Sequence, residues 1–249
     1  AVDKKAGKVH DEFPCPHCGA TLTKRTMERA WVTRYDQAIG QTIRQAKQVP
    51  VLINYSVGKK RFEKTPDAFD LALIEKIENS EIPYWFPTDR MMEGGETRRN
   101  DPVGITHVHH FYSKRQLWVL ALLLSKCNLY TKLIFQSIVA TLCSRLVRYN
   151  LGNRGNGPLS GTLYVSSLNA EAEVTKVAAG KASDFVRAFL AKERALIQCQ
   201  SFEDTPIPDG TVDYLFLDPP FGSNLNYSEL NCLWEEWLRV RTNTKREAI

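Results

Sequence analysis

The first hundred residues show broken hydrophobic spacing, and the rest is strongly patterned. VPVLINYSV (Val49 to Val57) is rich in β-branched and aromatic residues and closes on Gly58, which predicts a strand. Thr65-Pro66-Asp67 opens a helix in which Phe69, Leu71, Leu73, Ile74 and Ile77 supply an apolar face. Between Pro83 and Thr106, Pro83, Pro87, Gly94, Gly95, Pro102 and Gly104 stand among charged residues and predict a long loop, a kind of segment more often functional than accidental. Ser113-Lys114-Arg115-Gln116 fits a capping box, and an apolar helix follows to about Lys126. A second helix is predicted from about Leu129 to Tyr149, with Leu133, Ile134, Ile138, Leu142, Leu146 and Val147 on one broad face. GTLYVSS reads as a strand, Ala170 to about Arg194 as a helix, ALIQCQ and VDYLFLD as strands and LNCLWEEWLRV as a helix. That order in the last third predicts an α/β sheet.

Composition narrows the setting. With 249 residues, 43% of them hydrophobic, the chain can bury a sizeable core. No apolar run approaches the ~18–20 residues of a membrane span, so no membrane partner is expected. The first residues, AVDKKAGKVHDEF, contain no signal-peptide core. The six cysteines include one close pair and no disulfide framework, which fits a reducing cytoplasm. Net charge is only +5 but uneven: thirteen basic residues stand against six acidic ones up to Lys64. A basic surface of that kind suits a phosphate backbone, because neutralising phosphates releases counterions; a plain solvated surface explains the charge equally well.

The most informative stretch is VDYLFLDPPFG, Val212 to Gly222. A buried strand is predicted to end in Asp218, where open α/β sheets place their ligands. Pro219 and Pro220 fix φ and remove N–H donors, so the turn presents carbonyl oxygens. The Asp218 carboxylate and the Pro219 carbonyl make an acceptor-only pocket matched to an exocyclic NH2, with Phe221 as a stacking face. Gripping both amino hydrogens turns the nitrogen lone pair toward an electrophilic methyl group. A base can enter such a site only after leaving its duplex. Rate then comes from positioning and electrostatics.

Asp-Pro-Pro-Phe after an apolar strand resembles the catalytic tetrapeptide of amino-methyltransferases. The longer DYLFLDPPFGSNLNYSELNCLWEEWL, with HHFYSKRQLWVL and the CPHCG knuckle, resembles the zinc-ribbon-containing, adenine-specific DNA methylases. The resemblance implies S-adenosylmethionine-dependent methylation of DNA, adenine N6 before cytosine N4, with Asp218, Pro219, Pro220 and Phe221 as the catalytic residues. It implies an α/β fold: a partial Rossmann-like methyltransferase sheet, a helical or mixed DNA-recognition insertion and a small N-terminal knuckle. The expected organisation is a basic region over 1–58, a target-recognition region over 59–112, and a helical pair with the C-terminal part of the catalytic domain over 113–249. The family's glycine-containing cofactor turn is not in the sequence. GNRGNG, from Gly152 to Gly157, follows a helix instead of a strand and reads as a helix stop and connector. The cofactor site is then completed by an upstream segment or a partner subunit. Ser201 and Phe202, with Asp218, are the cofactor-facing candidates here, the alternative for the first two being an ordinary strand-to-loop transition. A non-catalytic nucleic-acid-binding remnant and an RNA base methyltransferase stay open as alternatives.

Other residues carry weaker signals. Cys15 and Cys18 have zinc-knuckle spacing, but no second CxxC follows, so a metal-free turn competes with zinc. His107, His109 and His110 leave a metal site open, but no carboxylate stands beside them at ligand spacing, so they are expected on the surface or facing DNA. Lys114 and Arg115 at a helix start suit phosphate or ordinary helix charge. Asn224, Asn226 and Tyr227 are placed to contact the flipped nucleotide or to form a turn. Trp234 and Trp237 are expected in the core.

Overall fold

The structure, a computed structural model, describes residues 2–3, 8–23, 25–150, 155–189, 205–218 and 226–246. Antiparallel hairpins come first: β1 (Val2–Asp3) with β2 (Lys8–Val9), β3 (Glu12–Pro14) with β4 (Thr21–Thr23), β5 (Trp31–Asp36) with β6 (Gln41–Ala46), and β7 (Ile53–Val57) with β8 (Lys60–Lys64). Helices follow: α1 (Ala68–Glu78), the single turn α2 (Gly95–Arg98), α3 (Lys114–Lys126), α4 (Leu129–Val139), α5 (Val174–Phe189) and α6 (Tyr227–Leu238). Among the described residues each strand has one neighbour only, so helices combine with small two-stranded sheets in an α+β arrangement. The parallel Rossmann-like sheet expected from the last third is not among these elements. No helix of the described residues is long and apolar enough to cross a membrane.

Local chemistry explains which expectations hold. Asp67 caps α1 by accepting from Asp70 N–H at 3.0 Å, and the Asp70 carboxylate returns to Asp67 N–H at 2.9 Å. The face assigned to α1 is not buried: Phe69, Leu71 and Leu73 are exposed, and of that face only Ile74 and Ile77, three apart, are half-buried. Helix α3 spans the predicted residues, with Ser113 Oγ accepting from Gln116 N–H at 3.2 Å. The Gln116 side chain does not return to close the box and donates to the Ala172 carbonyl at 3.4 Å. Helix α4 stops ten residues short of Tyr149. There Cys143 N–H reaches back to the Ile138 carbonyl at 3.0 Å, and Ser144 Oγ donates to the Ala140 carbonyl while accepting from Leu146 N–H. Local side-chain bonds thus replace the helical ladder, although Cys143, Leu146 and Val147 remain buried.

Two predicted strands do not form. GTLYVSS is held by a side chain: Asn100 Nδ2 donates to the Leu163 carbonyl at 2.8 Å and Asn100 Oδ1 accepts from Val165 N–H at 3.3 Å. The segment 212–217 stands in solvent with Tyr214 81% and Phe216 78% exposed, since a strand needs a neighbour and the described residues supply none. ALIQCQ lies outside the described residues.

The core gathers Met91, Ile105, Val108, Phe111, Tyr112, Leu117, Leu120, Phe135, Ile138, Leu163, Leu233 and Trp237. The segment predicted as a long loop, 83–106, is loop apart from α2 and a 3-10 turn at Asp101–Val103, and it is packed into the core, with Met91, Thr97, Asn100 and Ile105 buried. Residues 91–112 share one core with α3, α4 and α6, and the boundary expected at 58–59 falls inside the β7–β8 turn, where Val57 pairs with Lys60.

Hairpin β5–β6 docks on this core by polar contacts. Gln45 Nε2 donates to the Gly104 carbonyl at 2.9 Å, and Arg34 reaches Glu78 at 3.4 Å. Gly104 has φ +79°, and a Cβ there would lie 2.2 Å from the Arg44 carbonyl oxygen. Gly104→Ala is expected to cost at least about 3 kcal/mol, from left-handed strain plus a backbone clash, read as a lower urea midpoint. An unchanged midpoint would contradict this close docking.

Candidate functional site

Helix α6 begins six residues after Phe221 in the sequence. Asp218 is exposed. Pro219, Pro220, Phe221 and Asn224, like the cofactor candidates Ser201 and Phe202, lie outside the described residues. Asn226 is the N-cap residue of α6 and Tyr227 its first residue, about half exposed. One turn further in, Ser228 and Glu229 are buried.

Glu229 is the anchor at this end. Its Oε1 accepts from Thr97 N–H at 2.6 Å and from Thr97 Oγ1 at 3.0 Å. Gly94 lets the backbone lie directly on that carboxylate, since a Cβ would come within 2.2 Å of Glu229 Cδ. The same turn continues outward: Glu96 Oε2 accepts from Leu163 N–H at 3.1 Å and from the Thr162 hydroxyl. Sequence reasoning missed this clamp, because a glycine in a charged loop gives no sign of a carboxylate more than a hundred residues away.

At the other end Trp237 is buried, and its indole N–H donates to the Tyr112 hydroxyl at 3.0 Å. Trp237 stands edge-on to Tyr112, Phe135 and Trp85, with ring centroids 5.6, 5.4 and 6.4 Å away. Trp234 packs partly buried beside it, so both tryptophans serve the core as expected. An open cleft of about 550 Å³ beyond α6 is lined by Trp85, Asp89, Glu236, Arg239 and Arg241. Its charges are already used: Arg241 pairs with Glu236 at 2.6 Å and Asp89 at 3.1 Å, and Arg239 lies over the Trp85 ring at 4.0 Å.

The two phosphate-gripping candidates are engaged in the fold. Lys114 Nζ donates to the Glu78 carbonyl at 2.8 Å, tying α3 to α1. Arg115 makes a two-pronged pair with Glu171 at 3.0 and 2.6 Å, and Ser113 Oγ joins it at 2.9 Å. Neither cation faces solvent unpaired.

Cys15 and Cys18 sit in the β3–β4 turn, closed by Cys15 N–H to the Ala20 carbonyl at 2.8 Å and Gly19 N–H to the Cys15 carbonyl at 2.9 Å. Backbone N–H groups of His17 and Cys18 point at the Cys15 sulfur and hold its thiol below the usual range. This is a two-ligand knuckle, and among the described residues no third ligand joins it. Cys143 and Cys232 are different: burial pushes both thiols up to about 12, as befits apolar core residues.

The histidines overturn a surface expectation. Val108–Phe111 form a 3-10 turn that buries His109 and His110, and the missing carboxylate arrives from the end of β5, far upstream. Asp36 Oδ2 lies 2.9 Å from Nε2 of both rings. These three ligand atoms could geometrically hold a metal ion. The outer contacts argue against it, because a metal-bound imidazole normally donates its second N–H to an acceptor. His110 Nδ1 instead receives the N–H groups of Thr106 and His107 at 3.3 and 3.4 Å, which leaves the proton on Nε2, aimed at Asp36. His109 Nδ1 is buried and has no hydrogen-bond partner among the described residues. The triad is a hydrogen-bonded anchor for the hairpin.

Its electrostatics set a pH response. Burial pushes the Asp36 carboxyl up, but hydrogen bonds from His109 and His110 outweigh it and hold the group far below the usual carboxylate range. Burial lowers His110 from 6.5 to about 4, against the pull of Asp36. Because the unfolded chain protonates first, stability should fall by about 3 kcal/mol as pH drops from 6.5 to 4, and the Asp36 contribution is lost at lower pH still. Thermal midpoints across that range, flattened in His110→Gln, check this; a midpoint independent of pH in the wild-type chain would refute it.

Compared with known proteins, the chain matches no family model, no curated protein and no solved structure.

Proposed function

We propose that this chain carries the base-gripping part of an S-adenosylmethionine-dependent methyltransferase acting on an exocyclic amine in DNA, adenine N6 in the first place. The observation that carries this reading is Asp218-Pro219-Pro220-Phe221 at the end of an apolar segment, followed after five residues by α6, a helix pinned at both ends. In this reading Asp218 and the Pro219 carbonyl hold the amino hydrogens, Phe221 stacks on the base, and Asn224, Asn226 and Tyr227 meet the flipped nucleotide. The bound cofactor supplies the methyl group.

The solvent-exposed apolar run supports a sheet position for 212–217. Tyr214, Leu215, Phe216 and Leu217 are all more than half exposed. Burying a large apolar side chain stabilises by about 1.5–3 kcal/mol, so the four favour joining a sheet by about 6–12 kcal/mol. The described residues contain no cofactor cradle: of Ser201, Phe202 and Asp218 only the last is described, and it stands exposed. In this reading an upstream segment or a partner subunit completes the cofactor site, because the sequence carries no glycine-containing cofactor turn, and 212–217 belongs to a Rossmann-like sheet. The cysteine usage suits the cytoplasm. Zinc at Cys15 and Cys18 would need two ligands from outside the described residues.

A second reading, a non-catalytic nucleic-acid-binding remnant, is favoured by the lack of a glycine-containing cofactor turn in the sequence. Methyl-labelled cofactor offered with DNA and RNA side by side separates the possibilities. The proposal expects label in DNA; label in RNA alone, or DNA binding without any transfer, would replace it with one of the alternatives.

A further inference from the structure

The β7–β8 hairpin is a projecting ribbon. Every residue of β8 except Lys64, and every residue of β7 except Ile53, is exposed. Gly58, at φ +58°, occupies the first central position of a two-residue turn, as a tight hairpin requires. Tyr55 and Phe62 pair across the strands and stack with centroids 5.5 Å apart, which stiffens the ribbon.

Its tip carries Lys59, Lys60 and Arg61 in succession. Among the described residues none of these three charges enters an ion pair, whereas Lys64 at the base is held by Asp67 and Asp70 at 3.1 and 2.7 Å. The neighbouring hairpin differs: Arg34 is spent on Glu78, and Arg44 lies over the Trp31 ring at 4.5 Å. Successive strand residues point to opposite faces, so Lys60 and Arg61 put a cation on each side of the ribbon. A two-stranded ribbon fits the DNA major groove, about 12 Å wide, and cations on both faces then meet the phosphates of both walls.

We propose that the β7–β8 hairpin is a DNA-gripping arm, seated in a duplex groove with Lys59, Lys60 and Arg61 on the phosphates. This rests on the reading of the chain as a DNA enzyme and gives that enzyme its grip on the duplex. Each phosphate contact adds about 0.9 to the slope of log affinity against log salt. The triple variant K59A/K60A/R61A should flatten that slope by about 2.7 and weaken binding to a duplex oligonucleotide about 100-fold at 0.1 M salt. Its thermal midpoint should match the wild type, because the side chains are exposed and enter no ion pair among the described residues, and K59R/K60R/R61K should bind as the wild type does.

Fluorescence anisotropy of a labelled duplex between 50 and 200 mM salt reads both quantities. Unchanged affinity and slope in the triple alanine variant would overturn the proposal, as would a loss confined to single-stranded RNA or to a protein partner. Methyl transfer is measured in parallel with Asp218→Ala. Should no transfer occur in any variant while the hairpin variant still loses duplex binding, the methyltransferase reading falls and the arm stands. If transfer occurs and the hairpin variant binds normally, the arm falls alone.

Discussion

Asp218→Ala should lower methyl transfer by about 1000-fold while leaving DNA binding and thermal stability unchanged. The size follows from the role. A preorganised polar group in a transition-state site is worth about 10²–10³ in rate, and in the proposed reading Asp218 also sets the direction of the amine lone pair. The fold should not notice the change, because the side chain is exposed, and exposed substitutions stay within about 0.5 kcal/mol. Asp218→Asn is the informative companion: it keeps an acceptor in the same place, loses the charge, and is expected to retain part of the activity. Equal activity in Asp218→Ala and wild type would remove the carboxylate from the chemistry.

Trp237→Ala should cost about 3–5 kcal/mol, the largest loss of stability expected from any single truncation in the described core. The side chain is buried against three aromatic rings and satisfies the Tyr112 hydroxyl. Burial pushes that hydroxyl far above the usual phenol range, so it remains a neutral partner at any working pH. Truncation opens a cavity and strands a buried hydroxyl at once. Trp237→Phe keeps much of the ring contact and should lose less than half as much. Urea midpoints measure both, and a Trp237→Ala loss below about 1 kcal/mol would mean that α6 is held elsewhere. Because Asn226 and Tyr227, which meet the nucleotide in the proposed reading, stand at the start of α6, a loosened helix should also raise the substrate concentration needed for transfer.

Helices with local signals were readable from the chain alone. Asp67 and Ser113 mark helix starts by side-chain bonds to the next turn, and α1 and α3 begin there. Apolar spacing placed Trp237 in the core, with Trp234 partly buried beside it. Spacing failed where side chains replaced the backbone ladder, as at Ser144 beyond α4 and at Asn100 beside Leu163. It failed again at 212–217, where strand propensity cannot provide a neighbour to pair with. The segment 83–106 read as loop because its glycines and prolines are local signals, while its packing on α6 through Glu229 is not local. The same blindness hid the histidine anchor: His109 and His110 reveal nothing by themselves until Asp36 arrives from another hairpin. At the candidate site the tetrapeptide and the helix after it stood out in the sequence as a motif, and the Glu229–Thr97 clamp that holds that helix did not.

The most direct test identifies the modified atom. Unmethylated DNA is incubated with methyl-labelled S-adenosylmethionine and the longest native polypeptide containing these residues, then digested to nucleosides for mass spectrometry. Labelled N6-methyladenine should appear with the wild type and vanish with Asp218→Ala. Label in no nucleoside, or the same labelled product from both proteins, would contradict the assignment of Asp218 to an adenine amine.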